Sequence, residues 1–158
     1  MRSMRPVSTM VLLGMWLGGF SACSSALLMN TPVSKSAEGW AITLAQVKAG
    51  PDEYIGEGGV NVTAGTDETL IWTLVTVKNE SSEEQTFSYD TCVLDWKGEA
   101  RQPLVVDRHA EINMAVDRSE AIAPGQERTR QLIYTYPEKQ RPTRMKCGKI
   151  VLPVQAPR

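Results

Sequence analysis

The chain has 158 residues, with 17 basic side chains, 18 acidic ones and a single histidine. That length suits one domain behind a leader rather than several domains. So even a charge balance argues against nucleic-acid binding, which needs a basic surface, and one histidine excludes a metal site built on several.

The first predicted element is the leader. Arg2 and Arg5 precede an almost unbroken apolar run from Val7 to Phe20, and small residues follow. Charge, a short apolar stretch and a small-residue cleavage site make a secretory signal peptide. The run is shorter than the roughly 20 apolar residues of an ordinary membrane span. Phe20-Ser21-Ala22-Cys23 resembles the lipobox of bacterial lipoproteins, with Phe20 departing from the aliphatic residue usual at its position. The resemblance implies cleavage between Ala22 and Cys23 and acylation of the Cys23 thiol and amine, palmitate included. Two or more acyl chains hold a protein on a bilayer stably, whereas one is marginal. Ser24 stands where Gram-negative lipoproteins retained in the inner membrane carry Asp, so the resemblance implies an outer-membrane anchor facing the periplasm. A Gram-positive envelope is the other setting, and a plain secretory signal or an uncleaved anchor is the competing reading of the leader. Residues 1–22 hold two of the 17 basic residues and no acidic one, which leaves 15 against 18 and a net charge of −3.

With Cys23 assigned to lipid, the three cysteines leave an even pair, Cys92 and Cys147. In an oxidising envelope that pair is expected to form a disulfide. It would close a loop of about 55 residues, worth on the order of 4 kcal/mol in the chain-entropy model. Two buried thiols or a redox pair compete with this reading, although the spacing is not Cys-x-x-Cys.

Residues 23–37, rich in Ser, Asn, Thr and Pro, read as a lipidated tether in which Leu27, Leu28 and Met29 pack against something. The folded domain is then expected over residues 38–158. Trp40, Ile42 and Leu44 alternate with polar or small residues, the pattern of a half-buried strand. Ala49 to Glu68 reads as a long loop or hairpin, with short strands at Tyr54-Ile55 and Val60-Asn61-Val62. Leu70 to Val77 is apolar at successive positions, as a central strand covered on both faces would be. Strands follow at Phe87 and Tyr89, at Cys92 to Trp96, and at Leu104 to Val106; residues 107–122 read as a polar connection with room for one helical turn. Ala123-Pro124-Gly125-Gln126 predicts a type II turn. Leu132, Tyr134 and Tyr136 alternate after it, and Ile150, Leu152 and Val154 form a last strand. Cys147 is out of phase with that strand, so a bulge at Gly148 is expected. Seven or eight short strands separated by turns read as an all-β antiparallel sandwich.

Three stretches carry a further resemblance: Leu74 to Ser81, then Leu94-Asp95-Trp96-Lys97-Gly98, then Ala123 to Gln126 with the strand Leu132 to Pro137. In this order they are similar to the immunoprotective-extracellular, immunoglobulin-like family of secreted and lipid-anchored bacterial domains. Tyr89-Asp90 and Lys97-Gly98 also resemble elements of the intracellular proteinase inhibitor family. Both resemblances imply an immunoglobulin-like sandwich, and neither supplies a catalytic residue; fold analogy is in any case no warrant for activity.

The search for chemistry returns little. His109 has Asp107, Glu111 and Met114 nearby in sequence, too few soft or nitrogen ligands for copper or zinc. No Gly-x-Ser-x-Gly elbow occurs, and Gly56-Glu57-Gly58-Gly59 lacks the Lys-Ser/Thr of a phosphate loop. Asp52, Glu53, Glu57, Asp67 and Glu68 lack the spacing of a calcium loop. Arg128, Arg130, Lys139, Arg141, Arg144, Lys146 and Lys149 cluster late in the chain, as either a cationic face for an anionic partner or solvated strand positions.

The expectation is a non-enzymatic envelope lipoprotein, without metal, cofactor or small-molecule ligand. It would bind another envelope protein through an edge strand or the loops at one end. The alternative is a protease inhibitor acting through Ala49 to Glu68 or Asp107 to Ile122, and a metal-binding periplasmic protein ranks below both.

Overall fold

A strand that is apolar at successive positions needs cover on both faces, and the run from Leu70 to Val77 receives it. A computed structural model describes residues 25–156. There the run is the middle of a twelve-residue strand. In chain order the strands are β1 (Ala26–Met29), β2 (Val33–Ala37), β3 (Trp40–Ala49), β4 (Glu53–Ile55), β5 (Asn61–Thr63), β6 (Glu68–Asn79) and β7 (Gln85–Ser88). They continue as β8 (Cys92–Trp96), β9 (Glu99–Arg101), β10 (Val105–Asp107), β11 (Ser119–Ile122), β12 (Glu127–Pro137), β13 (Arg144–Cys147) and β14 (Ile150–Pro153).

The fold is an all-β sandwich of antiparallel sheets. In the first layer β6 lies between β3 and β12, and β10 pairs with the far edge of β12. β12 pairs with β6 along its whole length, from Glu127 opposite Lys78 to Pro137 opposite Glu68. The outer edge of β3 is shared: β2 takes the half from Trp40 to Leu44 and β1 the half from Val47 to Ala49. The second layer holds β14-β13-β8-β9 and the ribbon β11-β7, with a single 3₁₀ turn, Tyr89–Thr91, leading from β7 into β8. β14 runs beside β2 and brings the layers together on that side. The hairpin β4-β5 forms a sheet of its own.

Strand periodicity assigns the two faces of β6. Ile71, Val75 and Val77 join Ile42 and Leu44 of β3, and Leu132, Tyr134 and Tyr136 of β12, in the core between the layers. Phe87, Cys92, Leu94, Met145 and Leu152 meet them from the other side. On the outer face Leu70, Trp72 and Ile133 form a second, smaller core with Tyr54 and Val105. Two phenols tie the layers: Tyr134 donates to the Cys92 carbonyl at 2.9 Å and Tyr136 to the Asp95 carbonyl at 3.0 Å. Burial raises the pKa of both phenols and keeps them neutral donors.

Asn79 organises the end of the sandwich remote from Ala26. It is fully buried, and its amide donates to the Glu83 and Ile122 carbonyls at 2.7 and 2.8 Å. Its side-chain oxygen accepts from the Ser81 N–H and hydroxyl at 2.9 and 2.7 Å. One side chain thus fixes the β6–β7 turn against the end of β11. The next turn is the predicted type II: Gly125 has φ +73°, and the Gln126 N–H bonds the Ala123 carbonyl at 3.0 Å.

Four expectations are corrected. The fold begins at β1 rather than residue 38, because Leu28 and Met29 are buried and Val33 to Ala37 extends β3. The strands number fourteen among the described residues, since short edge strands carry too few residues for an alternation to register. Residues 107–122 contain no helical turn; they hold parts of β10 and β11 joined by a loop. Cys147 needs no bulge, because Gly148 at φ +58° opens a two-residue turn that sets Cys147 directly opposite Ile150.

Replacing Asn79 by Ala removes four hydrogen bonds, among them the buried one to the Ile122 carbonyl. A loss of about 2–3 kcal/mol is expected, read from urea unfolding. A loss under about 0.5 kcal/mol would show that the turns hold without it.

Candidate recognition surfaces

The leader and Cys23 lie outside the described residues. Ala26, three residues after Cys23, pairs with Ala49. The chain therefore enters at the end of the sandwich formed by the last residue of β3, the first of β6 and the last of β12. Trp40, Asn79 and Glu127 mark the other end. The ten residues of β3 separate the two ends by roughly 30 Å at ~3.3 Å per residue.

Cys92 and Cys147 face one another across β8 and β13 and are bonded, with sulfurs 2.11 Å apart. Both are buried in the main core. The disulfide therefore staples the second layer from inside.

The two long loops of the sequence meet on the outer face of the first layer. Their junction is Asp107, whose carboxylate is buried. It accepts from the Tyr54 hydroxyl at 2.7 Å, the His109 N–H at 2.7 Å and the Met114 N–H at 2.6 Å. Three donors satisfy a carboxylate that has left water, and it makes no ion pair among the described residues. Burial first, and the bond to Asp107 second, raises the pKa of the Tyr54 phenol. Backbone bonds continue the seam, from the Glu57 N–H to the Asn113 carbonyl at 2.8 Å and from the Arg108 N–H to the Met114 carbonyl at 2.9 Å. At the base of the hairpin Asp52 accepts from the Thr69 hydroxyl at 2.6 Å, and the Trp72 indole donates to the Pro51 carbonyl at 2.8 Å. Ile55 and Ile112 stand at the rim of the joined loops, 60% and 62% exposed.

This geometry redistributes the residues singled out in the sequence. Asp107 is committed to the loop seam, and His109 is an exposed loop residue whose backbone N–H serves that seam. Among the described residues no three His, Cys, Asp or Glu side chains gather as a metal site. Of the acids in the first loop, Asp52 caps the start of β6 and Glu68 faces Arg101 at 3.7 Å. The late cations do not form one field. Arg130 and Arg128 reach Glu120 at 2.7 and 3.6 Å, Arg144 pairs with Asp95, and Lys149 pairs with Glu38. Glu120 also accepts the hydroxyl of the buried Tyr89.

A feature that sequence reasoning missed lies at the end remote from Ala26. The hairpin β13-β14 stops at Cys147 and Ile150, so among the described residues β7 has β11 on one edge and no strand on the other. The gap is a notch of about 240 Å³ between the layers. Trp40 and Ile42 reach it from the first layer, Phe87 and Ile150 from the second, and the Glu38–Lys149 pair lies at its mouth. Trp40 and Phe87 meet edge to face at 5.0 Å. Nothing in the local sequence announces the notch, because it arises where the β13-β14 hairpin turns back at Gly148-Lys149 without running on beside β7.

No family model matches the chain, and no curated protein or solved structure matches it either. The class defined by the coordinates is a two-layer antiparallel β-sandwich with an internal disulfide.

Two outcomes test these assignments. Asp107→Ala is expected to cost about 2–4 kcal/mol and to open residues 108–115 to limited proteolysis, while Tyr54→Phe costs about 1 kcal/mol. Unchanged proteolysis in Asp107→Ala would remove the carboxylate as the junction. Separately, the hydrogen bond from Arg144 holds the Asp95 carboxyl below its usual pKa. Its contribution to stability is therefore present above the ordinary Asp value of about 4 and lost as pH falls through the depressed one. Arg144→Ala should move the Asp95 midpoint upward in an NMR titration; an unmoved midpoint contradicts the assignment.

Proposed function

We propose that this chain is an envelope lipoprotein that works by binding rather than by catalysis. Cys23 carries the lipid, and the sandwich is an immunoglobulin-like module for another envelope protein or an envelope assembly. The lipobox-like segment and Ser24 favour an outer-membrane anchor facing the periplasm. The observation that carries the reading is the separation of the two ends. The chain enters beside Ala49, three residues after Cys23, and the notch and the free edge of β7 lie at the other end. A module held by its first residues would thus present those features away from the bilayer. Confinement to the membrane raises the effective concentration of such a module for its neighbours.

The inhibitor reading has one observation in its favour. Ala49 to Glu68 and residues 107–122 are fastened by Asp107 into a fixed shape that exposes Ile55 and Ile112. Protease assays with and without Asp107→Ala separate it from the module reading, since loosened loops should lose inhibition.

For the anchor, labelling with radioactive palmitate is expected to vanish in Cys23→Ala, and the protein should move from the membrane to the soluble fraction. Labelling that persists, or membrane retention without the thiol, would overturn the assignment. For binding, a photo-crosslinker at Thr86 is expected to trap a discrete envelope protein, and to do so less efficiently in Cys23→Ala.

A further inference from the structure

We infer that the free edge of β7 is a site for strand addition, and that its occupant is an extended basic peptide segment of another protein with one apolar side chain seated in the notch. The inference rests on the binding-module reading and names the chemistry of the partner.

An edge strand presents backbone N–H and C=O groups that another chain can pair with, and proteins normally blunt such edges with Lys, Pro, bulges or a covering element. The sequence of β7 is Gln85-Thr86-Phe87-Ser88, with no lysine, no proline and no formal charge. Its pairing with β11 runs in unbroken register from Ser88 opposite Ser119 to Gln85 opposite Ile122. The other edge has no strand partner among the described residues. Beside it the turn Gly148-Lys149 approaches only as far as Thr91, where the Gly148 N–H meets the Thr91 carbonyl at 3.3 Å.

Strand addition supplies affinity through main-chain bonds and specificity through pockets for alternate side chains. The notch is such a pocket. Its floor is Trp40, Phe87 and Ile150, and its volume of about 240 Å³ leaves room for one branched aliphatic side chain with the backbone carrying it. The side chains on either side of that residue point the opposite way, to solvent and to the rim.

The turn that precedes the edge sets the charge. Glu80, Glu83 and Glu84 are exposed in the turn that feeds β7. That turn is held against the β2–β3 turn, where the Glu80 N–H bonds the Gly39 carbonyl at 2.7 Å and Ser81 packs on Gly39. Glu38, next to Gly39, already neutralises Lys149. Three carboxylates without an ion pair among the described residues thus stand in the turn at the start of the β7 edge, and Lys or Arg on the flank of the apolar residue complements them.

The test uses the full-length chain in detergent micelles and a displayed library of random heptapeptides. Selected peptides are expected to share a Val, Ile or Leu flanked by Lys or Arg, and to add amide-exchange protection at Thr86 and Ser88, whose N–H groups point away from β11. Thr86→Trp should fill the mouth and lower affinity about tenfold or more. Glu83→Lys with Glu84→Lys should do the same while leaving the notch intact; these positions are exposed, so the pair stands in if Thr86→Trp perturbs the fold. No enrichment, unchanged affinity in the charge-reversed pair, or protection confined to other strands would each overturn the site. Protection elsewhere would leave the module reading in place. Peptide affinity is expected to be the same in Cys23→Ala, so a failed anchor and a failed edge site give different results.

Discussion

Everything in this fold depends on the pairing of β6 with β12. The two strands oppose each other from Glu127–Lys78 to Pro137–Glu68 without a bulge, and their side chains are apolar on both faces. The inner face creates the main core and sends Tyr134 and Tyr136 across to the carbonyls of β8. The outer face cannot be left to water, because Leu70, Trp72 and Ile133 lie on it. The hairpin β4-β5 and the loop after β10 exist in that sense as its lid. A lid made of loops brings backbone groups under cover, and the carboxylate of Asp107 is the means by which three donors are satisfied there.

The long strands were legible in the sequence because length lets periodicity speak. β3 alternates visibly, β6 is apolar at successive positions, and β12 follows a type II turn that only its Pro-Gly pair could have announced. The hairpin at Tyr54 and Val62 is short, and it is legible instead from the Gly-rich, acidic stretch that separates Tyr54-Ile55 from Val60 to Val62. β1 and β2 could not be read. Ala26–Met29 buries only its last two residues, and Val33–Ala37 is polar at its centre, so both are strands only because β3 has an edge to offer. Cys147 misled because a turn and a bulge shift the phase of a strand in the same way.

The site residues divide along similar lines. Cys92 and Cys147 could be paired by counting, since disulfide arithmetic needs no geometry. Asp107 was grouped with His109 by proximity along the chain, whereas its role is set by Tyr54, far away in sequence and adjacent in space. The late cations resembled a patch for the same reason: Glu120, Asp95 and Glu38 come from other parts of the fold to meet four of them. What remains unbalanced is a turn of glutamates that the sequence showed only as a link between strands.

The way β1 joins the sheet has a mechanical consequence. Its first residue lies at the Ala49 end of β3, and β1 runs antiparallel to β3 from there towards the middle of the strand. A pull on Ser25, resisted from the far end of the sandwich, would act along the strands. The hydrogen bonds between β1 and β3 run across that direction, so they would share the load as a set. An N-terminal strand entering from the other end would be peeled away one bond at a time. A chain arranged in this way can be tugged by its first residues and keep its sheet closed.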